Sequence, residues 1–167
     1  MTDKELSRLL RDRSGFSRVY EELKQPVYTV CLRILNNREL AEDVCHDVFL
    51  KLYHCPPDSS VLKPRAWVFR MARNLAIDAL RQKDNQRREP LEEIQAAYTP
   101  DWDLRLDLEA ALAALSVAER EAVTLHLNAE LSFQEIAGIT GTSLPSVYRT
   151  YRRGLKKLKV ILNGGEL

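Results

Sequence analysis

The chain has 167 residues, of which 45% are hydrophobic and 29% are charged, and it contains only 6 glycines. This composition is typical of a soluble helical protein with one domain or two small ones. No apolar run resembles a signal peptide or a membrane span, so we expect a cytoplasmic protein without stable membrane insertion.

The net charge of +1 conceals three segments of alternating sign. Residues 1–88 carry 17 Lys and Arg against 12 Asp and Glu (+5), residues 89–131 carry 2 against 10 (−8), and residues 132–167 carry 6 against 2 (+4). Two basic segments joined by an acidic one suggest two contacts with a polyanion such as nucleic acid. The alternative is that the acidic segment is a solvated linker and helix face.

Cys31, Cys45 and Cys55 form an odd set without the paired spacing of a zinc site. We therefore expect reduced thiols, with no metal and no other cofactor. The pairs Cys45-His46 and His54-Cys55 leave a small metal-dependent enzyme as one alternative function, which metal analysis of the purified protein would test. Adjacent side chains on a helix diverge by about 100°, which argues against shared ligation.

After a short polar helix, the chain predicts two longer ones. Apolar residues at helical spacing predict an amphipathic helix over Phe16–Leu35, with a bend at Pro26. Asn36 or Asn37 is expected to cap a second helix, Glu39–His54. One surface of that helix, here called the acidic face, groups residues at the spacing i, i+3, i+4 and i+7: Asp43, His46, Asp47 and Leu50. Such a face is usually solvated, but its leucine also suits the docking of a partner.

Residues 55–64 (CPPDSSVLKP) contain three prolines and two serines, which predicts a loop before a third helix, Arg65–Gln82. The loop and the side of the helix away from its core stripe form the loop-helix face: Ser60, Lys63, Arg70, Arg73, Asn74, Ile77 and Arg81. Trp67 and Phe69 flank this face, and cations interleaved with aromatic rings are typical of single-stranded nucleic-acid binding. The alternative for each ring is ordinary core packing, which is the stronger interpretation of either alone.

Residues 83–104 lose helical periodicity and are acidic and proline-containing, so we expect a flexible linker there. A helix over Arg105–Leu115 follows. Ser116 and Glu119 have the spacing of a capping box, which predicts that another helix starts there and reaches about Asn128.

Residues 131–159 predict a helix-turn-helix motif. Ser132 and Glu135 form a second capping-box pattern. Ala137, Gly141 and Val147 supply the small residue, the turn glycine and the β-branched core residue that this motif requires. The alternative, a helical hairpin with a solvated basic face, is disfavoured by that spacing.

The second helix of the motif is expected to have two distinct faces. Its buried stripe consists of apolar residues at helical spacing: Val147, Tyr151, Leu155, Leu158 and Leu162. The recognition face lies off that stripe and is expected to contact DNA: Ser146, Tyr148, Arg149, Arg152, Arg153 and Lys156. In a major groove the first turns of such a helix reach base edges, and later cations reach phosphate.

Three stretches together resemble the extracytoplasmic-function sigma factors of bacterial RNA polymerase, a branch of the sigma-70 family. LAEDVCHDVFLKLY (40–53) is similar to the polymerase-docking helix of region 2, PRAWVFRMARNLAIDALR (64–81) to its promoter-melting helix, and residues 112–158 to region 4. The stretch at 64–81 also resembles the iron-starvation branch. The family usually has glutamine at the position of His46 and other residues at the positions of Tyr148, Arg149 and Arg152. The promoter sequence that the family's members recognise is therefore not carried over to this chain.

The resemblance implies an all-α fold with a region 2 domain at 1–85, an acidic linker at 86–104 and a region 4 domain at 105–167. The acidic face would dock on the clamp helices of the β′ subunit, and the loop-helix face near Asn74 would capture a base of the melted −10 element. The recognition face would read the −35 element as duplex DNA, and the linker would pass through the core enzyme, with its β subunit as a further contact.

The implied function is that of an alternative sigma factor, not an enzyme. Its partners would be the RNA polymerase core, promoter DNA and an anti-sigma protein. A stand-alone helix-turn-helix regulator is the alternative function, and promoter-specific transcription with added core polymerase discriminates between the two.

Overall fold

The computed structural model describes residues 1–86 and 104–164. Every regular element within those residues is a helix: α1 Asp3–Arg11, a 3-10 turn Arg13–Gly15, α2 Phe16–Leu35, α3 Arg38–His54, α4 Pro64–Gln86, α5 Leu104–Ala113, α6 Val117–Leu127, α7 Phe133–Thr140 and α8 Leu144–Leu162. The predicted all-α fold class is confirmed. Nearly all of the predicted linker lies outside the described residues, and none of the described helices is long and apolar enough to cross a bilayer.

The N-terminal half, residues 1–86, is a bundle in which α2 packs against both α3 and α4. α2 runs through Pro26 and ends at Leu35, and its C-cap residue Asn36 adopts the left-handed conformation with φ of 47°. Asn37 then caps α3, because its side chain accepts a hydrogen bond of 2.8 Å from the backbone N–H of Leu40. This tight corner holds α3 alongside α2 and turns its acidic face outward.

Helix α4 is longer than the sequence predicts. It begins at Pro64, a residue suited to a first turn, and ends at Gln86 rather than Gln82. Its last residues lack an apolar stripe, but Gln and Lys are good helix formers, so the helix continues beyond its core contacts. Phe69 is completely buried, and Trp67 packs partly buried against the same core. Core packing is therefore the correct interpretation of Phe69.

The C-terminal half, residues 104–164, contains both predicted capping boxes. Ser116 with Glu119 and Ser132 with Glu135 each exchange the two expected hydrogen bonds. α7 ends at Thr140 and is capped by Gly141, which has a φ of 69°, and Val147 is buried behind the turn. The predicted helix-turn-helix is confirmed.

The buried stripe of α8 differs in part from the predicted one. Leu162 is 47% exposed, so the buried stripe does not include the last turn of α8. Gly154 is buried instead, and a Cβ atom at this position would lie 3.0 Å from Cγ2 of Val123. The glycine thus lets α8 approach α6 closely, a contact that the apolar spacing does not reveal.

The two halves pack against each other, α2 against α6 and α4 against α7. Leu125, Leu131 and Ile136 of the C-terminal half belong to the same buried apolar cluster as the core of the N-terminal half. A second, smaller cluster lies within the C-terminal half, around Leu112 and Leu158. The two domains predicted from the sequence do not by themselves imply this shared core.

Candidate nucleic-acid interface

The recognition face is presented to solvent along α8. Ser143 caps the helix, accepting a hydrogen bond of 3.3 Å from the backbone N–H of Ser146, so the helix begins at the turn itself. Tyr148, Arg149, Arg152 and Lys156 are exposed, and Ser146 is half-buried. The guanidinium of Arg152 lies over the Tyr148 ring at 5.8 Å, which holds both side chains on the outer surface. The arrangement offers cations and hydrogen-bond donors to a polyanion.

Two cations near this face instead contact a buried carboxylate. Glu119 is only 2% exposed, and the Lys157 ammonium donates a hydrogen bond of 2.8 Å to it. Arg153 lies 3.9 Å from the other oxygen, with two thirds of its side chain still exposed. The hydrogen bond from Lys157 is the main reason that the pKa of Glu119 is lowered. Lys157 therefore joins α8 to α6, and Arg153 can serve both this carboxylate and DNA.

The loop-helix face is assembled around the start of α4. Asp58 orders the loop by accepting a 3.2 Å hydrogen bond from the backbone N–H of Ser60, which lowers the pKa of its carboxyl group. Ser60, Asn74 and Arg81 are exposed, and Ile77 is half-buried. Leu62 is 86% exposed at the loop tip, an apolar feature that the sequence analysis did not select. With Phe69 in the core, only Trp67 remains of the two rings considered for base stacking.

The other cations of the loop-helix face are engaged by the C-terminal half. Lys63 lies 3.6 Å from Glu135 and also from Asp3. Arg70 donates a 3.0 Å hydrogen bond to the carbonyl oxygen of Gly138, and Arg73 forms an ion pair with Glu121. The structure thus brings the predicted residues together, but it places three of them against the second half of the same chain.

The acidic face is fully presented on α3. Asp43, His46 and Asp47 are exposed, and Leu50 is 43% exposed although it is apolar. Tyr20 lies beside it on α2, 43% exposed and in edge-to-face contact with Phe49 at 4.9 Å between ring centroids. An exposed leucine and tyrosine next to carboxylates form a surface with both apolar and charged contacts to offer a protein partner.

The three cysteines differ in exposure: Cys31 is buried, Cys45 is half-buried and Cys55 is exposed. Burial raises the pKa of the Cys31 thiol to about 12 and that of Cys45 to about 11. The Cys45 thiol points toward the Lys24 carbonyl oxygen, 3.8 Å away. Across residues 1–86 and 104–164, no group of three or more His, Cys, Asp or Glu side chains is arranged to hold a metal ion.

Comparison with known proteins identifies both halves. The sigma-70 region 2 model matches residues 19–86, and the sigma-70 region 4 model matches residues 105–158, so together they cover well over half of the chain. Two solved structures share the fold. One is the sigma factor RpoE in complex with the anti-sigma factor NepR from Bartonella quintana (TM-score 0.65, 23% identity, covering 89% of this chain and 96% of that one). The other is CnrH in complex with the cytosolic domain of CnrY (TM-score 0.66, 22% identity, covering 98% and 99%).

Curated relatives carry the same family assignment. The chain is 28% identical to the ECF RNA polymerase sigma factor SigM of Bacillus subtilis, over 88% of this chain and 94% of that protein. It is 24% identical to the ECF RNA polymerase sigma factor SigK of Mycobacterium tuberculosis, over 91% of this chain and 88% of that protein. With region 2 in its first half, region 4 in its second and relatives of this kind along nearly its whole length, the chain belongs to the sigma-70 family of RNA polymerase sigma factors.

Proposed function

We propose that the three surfaces of this protein have the three separate binding roles expected of a small sigma factor. It is an alternative sigma factor that binds the RNA polymerase core and directs promoter-specific transcription initiation. The acidic face docks on the β′ clamp helices, the loop-helix face binds the melted −10 strand, and the recognition face reads the −35 duplex. Residues 1–85 and 105–167 act as the two promoter-binding modules, and residues 86–104 connect them.

One observation carries this proposal. An exposed helix-turn-helix recognition face occurs on the same chain as an exposed acidic face with a protruding leucine, on separate helices α8 and α3. A regulator that binds DNA alone needs the first surface but leaves the second without a role. A protein that must hold polymerase and promoter together needs both.

The decisive experiment is run-off transcription with purified core polymerase on a library of genomic promoters. We expect discrete transcripts that need both the chain and the core enzyme. Asp43→Arg combined with Leu50→Ala should abolish core binding and transcription while helical melting is unchanged, since both side chains are exposed. Glu21→Arg on α2 makes the same change of charge at an exposed ion pair with Lys24 and is the matched control.

Retained core affinity in the docking variant would refute the role of the acidic face. Duplex binding by the chain without any effect on core polymerase would instead support a stand-alone regulator. Discrete transcripts lost only in the docking variant, with Glu21→Arg fully active, would support the proposal as stated.

Three narrower assignments follow from the same resemblance. Residues 64–81 support membership of the iron-starvation branch, which predicts induction of the target promoters when iron is chelated in cells. Action on core polymerase places the protein in the cytoplasm, with an anti-sigma protein as its regulator. A pull-down from stressed and unstressed cells that recovers the same partners in both conditions would contradict that regulation.

A further inference from the structure

Four aromatic rings connect the packed part of the C-terminal half to the recognition face. His126 stacks on Phe133 with 4.4 Å between the ring centroids, and Tyr151 contacts these two rings at 4.8 and 5.0 Å. Phe133 also makes an edge-to-face contact with Tyr148, at 5.5 Å. These four residues, here called the ring column, reach the surface at Tyr148, which is 46% exposed.

The inner end of the ring column is fixed by a backbone group. His126 Nδ1 donates a 2.7 Å hydrogen bond to the carbonyl oxygen of Leu131, which holds the imidazole in one orientation. Phe133 is the first residue of α7 and packs half-buried against the apolar cluster that both halves share. Because its ring meets three other rings, it has little freedom to turn. Tyr148 therefore contacts a fixed neighbour.

The outer end of the ring column is held on a second side. The Arg152 guanidinium lies 5.8 Å from the centroid of the Tyr148 ring, a distance at which a cation is attracted to the ring face. Phe133 and Arg152 restrict the Tyr148 ring without covering it. A side chain that is restricted before binding loses less conformational entropy when it meets a ligand. The ring is thus suited to a specific contact.

The position of Tyr148 on α8 indicates what that contact is. Tyr148 lies one residue before Arg149, in the turns that enter a major groove first. The base edges there present hydrogen-bonding groups, and the C5 methyl group of thymine is the apolar group among them. An aromatic ring offers an apolar surface that matches a methyl group better than it matches a bare N–H or carbonyl group.

We propose that Tyr148 is a specificity-determining residue that recognises the C5 methyl group of a thymine in the −35 duplex, and that Phe133 is its positioning residue. The inference rests on the proposed function, because it requires α8 to lie in the major groove. It gives one position of the promoter a chemical identity that the cations of the recognition face do not supply, since contacts to phosphate carry no sequence information.

Replacement of thymine by deoxyuridine tests the proposal, because it removes the methyl group and leaves every hydrogen-bonding group of the base pair in place. The probe is the duplex of about 20 base pairs, two helical turns, that the full chain enriches most from a random library. Each thymine is replaced in turn, and affinity is measured by fluorescence anisotropy. We expect binding to weaken about fourfold at one or two positions, as for the loss of one buried methyl group.

Variants at two positions assign the methyl contact. Tyr148→Ala should bind the thymine and deoxyuridine duplexes equally, whereas Tyr148→Phe removes only the hydroxyl group and should retain the difference. Phe133→Leu keeps an apolar side chain but removes the ring, so the difference should fall below about twofold, and Phe133→Tyr should retain it. Melting by circular dichroism verifies folding, and Phe133→Met serves if Phe133→Leu does not fold.

Tyr53 on α3 provides the matched control. It is 38% exposed, it contacts Phe16 edge to face at 5.1 Å, and the Arg13 guanidinium lies 5.3 Å from its ring centroid. Its surroundings thus match those of Tyr148, but it lies outside the recognition face. Tyr53→Ala should leave both the duplex affinity and the methyl dependence unchanged.

Sequence-specific binding that depends on no thymine methyl group would overturn the inference and leave the −35 role standing. A methyl dependence that persists in Tyr148→Ala would also overturn it, as would one that Tyr148→Phe loses, since the hydroxyl group would then be the recognising group. An undiminished dependence in Phe133→Leu would overturn the positioning role. Failure to enrich any duplex, with or without core polymerase, would overturn the −35 role itself.

Discussion

At the scale of single residues, position along α8 separates base reading from phosphate contact. Arg149 lies in the first turns of the helix, and Lys156 lies two turns later on the same exposed side. Arg149→Ala should cost about 1–3 kcal/mol on the cognate −35 duplex and relax preference at one or two base pairs. Lys156→Ala should weaken binding to all duplexes alike and reduce the salt slope by about one.

The measurement is binding of the full chain to duplexes with single-base changes, at several salt concentrations. Lys159, exposed in the last turn of α8, offers a further lysine-to-alanine control that should behave like Lys156→Ala or have less effect. Loss of base preference in Lys156→Ala together with a uniform loss in Arg149→Ala would mean that the helix docks in the opposite direction.

Glu119 gives the chain a pH-dependent element of stability. Its pKa is lowered below the ordinary value of 4.5, first by the hydrogen bond from Lys157, so the folded state prefers the ionised carboxylate. The stabilisation is present above pH 4.5 and is lost as the pH falls through the folded pKa. Glu119→Gln should therefore lower the melting temperature at pH 7 and narrow the gap in melting temperature between pH 7 and acid conditions.

Circular-dichroism melts of the full chain at several pH values check this expectation. Glu5→Gln removes one partner of an ion pair with Arg18 on the surface of the N-terminal half and is the matched control, with little change expected at neutral pH. If Glu119→Gln and the original chain keep the same difference in melting temperature down to pH 3, the carboxylate does not act through its charge.

At the scale of elements, the turn of the helix-turn-helix depends on one glycine. Gly141 has a φ of 69°, and the space around a Cβ atom at this position is empty, so backbone strain alone decides the cost of a side chain. Gly141→Ala should lower the free energy of unfolding by about 1–2 kcal/mol. Urea unfolding of the full chain measures the change.

Gly138, three residues earlier inside α7, provides the matched control for that substitution. A Cβ atom there would meet only the Arg70 guanidinium, at an ordinary 3.5 Å. Gly138→Ala should be neutral or stabilising by about 0.5–1 kcal/mol, because alanine favours helix interiors. Equal destabilisation by both substitutions would contradict the assignment of strain to the turn.

Local patterns were sufficient to predict most elements and caps. Ser116, Ser132 and Gly141 act through partners three to five residues away, and such spacing can be read directly from a sequence. The packing role of Gly154 could not be predicted in this way, because the residues next to an interior glycine do not show which helix packs against it. The burial of Glu119 against Lys157 could not be predicted for the same reason, because the two residues are 38 positions apart in the sequence.

At the scale of the whole molecule, the candidate surfaces could be predicted but their mutual arrangement could not. The spacing on α3, α4 and α8 was sufficient to select each face. Arg33 and Glu109 are 76 residues apart, so their pairing depends on how the two helical units dock. The segregation of charge between residues 1–88 and 89–131 was the one feature of the sequence that indicated such docking.

That docking leads to a prediction about the two halves as separate pieces. Residues 1–85 and 105–167 each carry several helices, and the second has its own small core around Leu112 and Leu158. We expect each piece to show cooperative helical melting and the two to associate when mixed, through the shared apolar core and the ion pairs between the halves. Isothermal titration calorimetry should detect the association and its weakening at high salt.

Arg33→Glu in the first piece should weaken this association, and Arg18→Glu should leave it unchanged. A piece that is unfolded at 25 °C would show that the shared core is required for folding, and the chain would then be one domain. Folded pieces that fail to associate would show that the contact between the halves depends on the covalent connection.

The burial of two of the three cysteines makes the chain selectively reactive toward thiol reagents. Cys31 and Cys45 are shielded and remain protonated at neutral pH, whereas Cys55 is exposed at the end of α3. A maleimide dye should therefore attach at Cys55 without any engineered substitution. The attachment point is at the start of the 55–64 loop, so the dye would report directly on a strand of DNA arriving there.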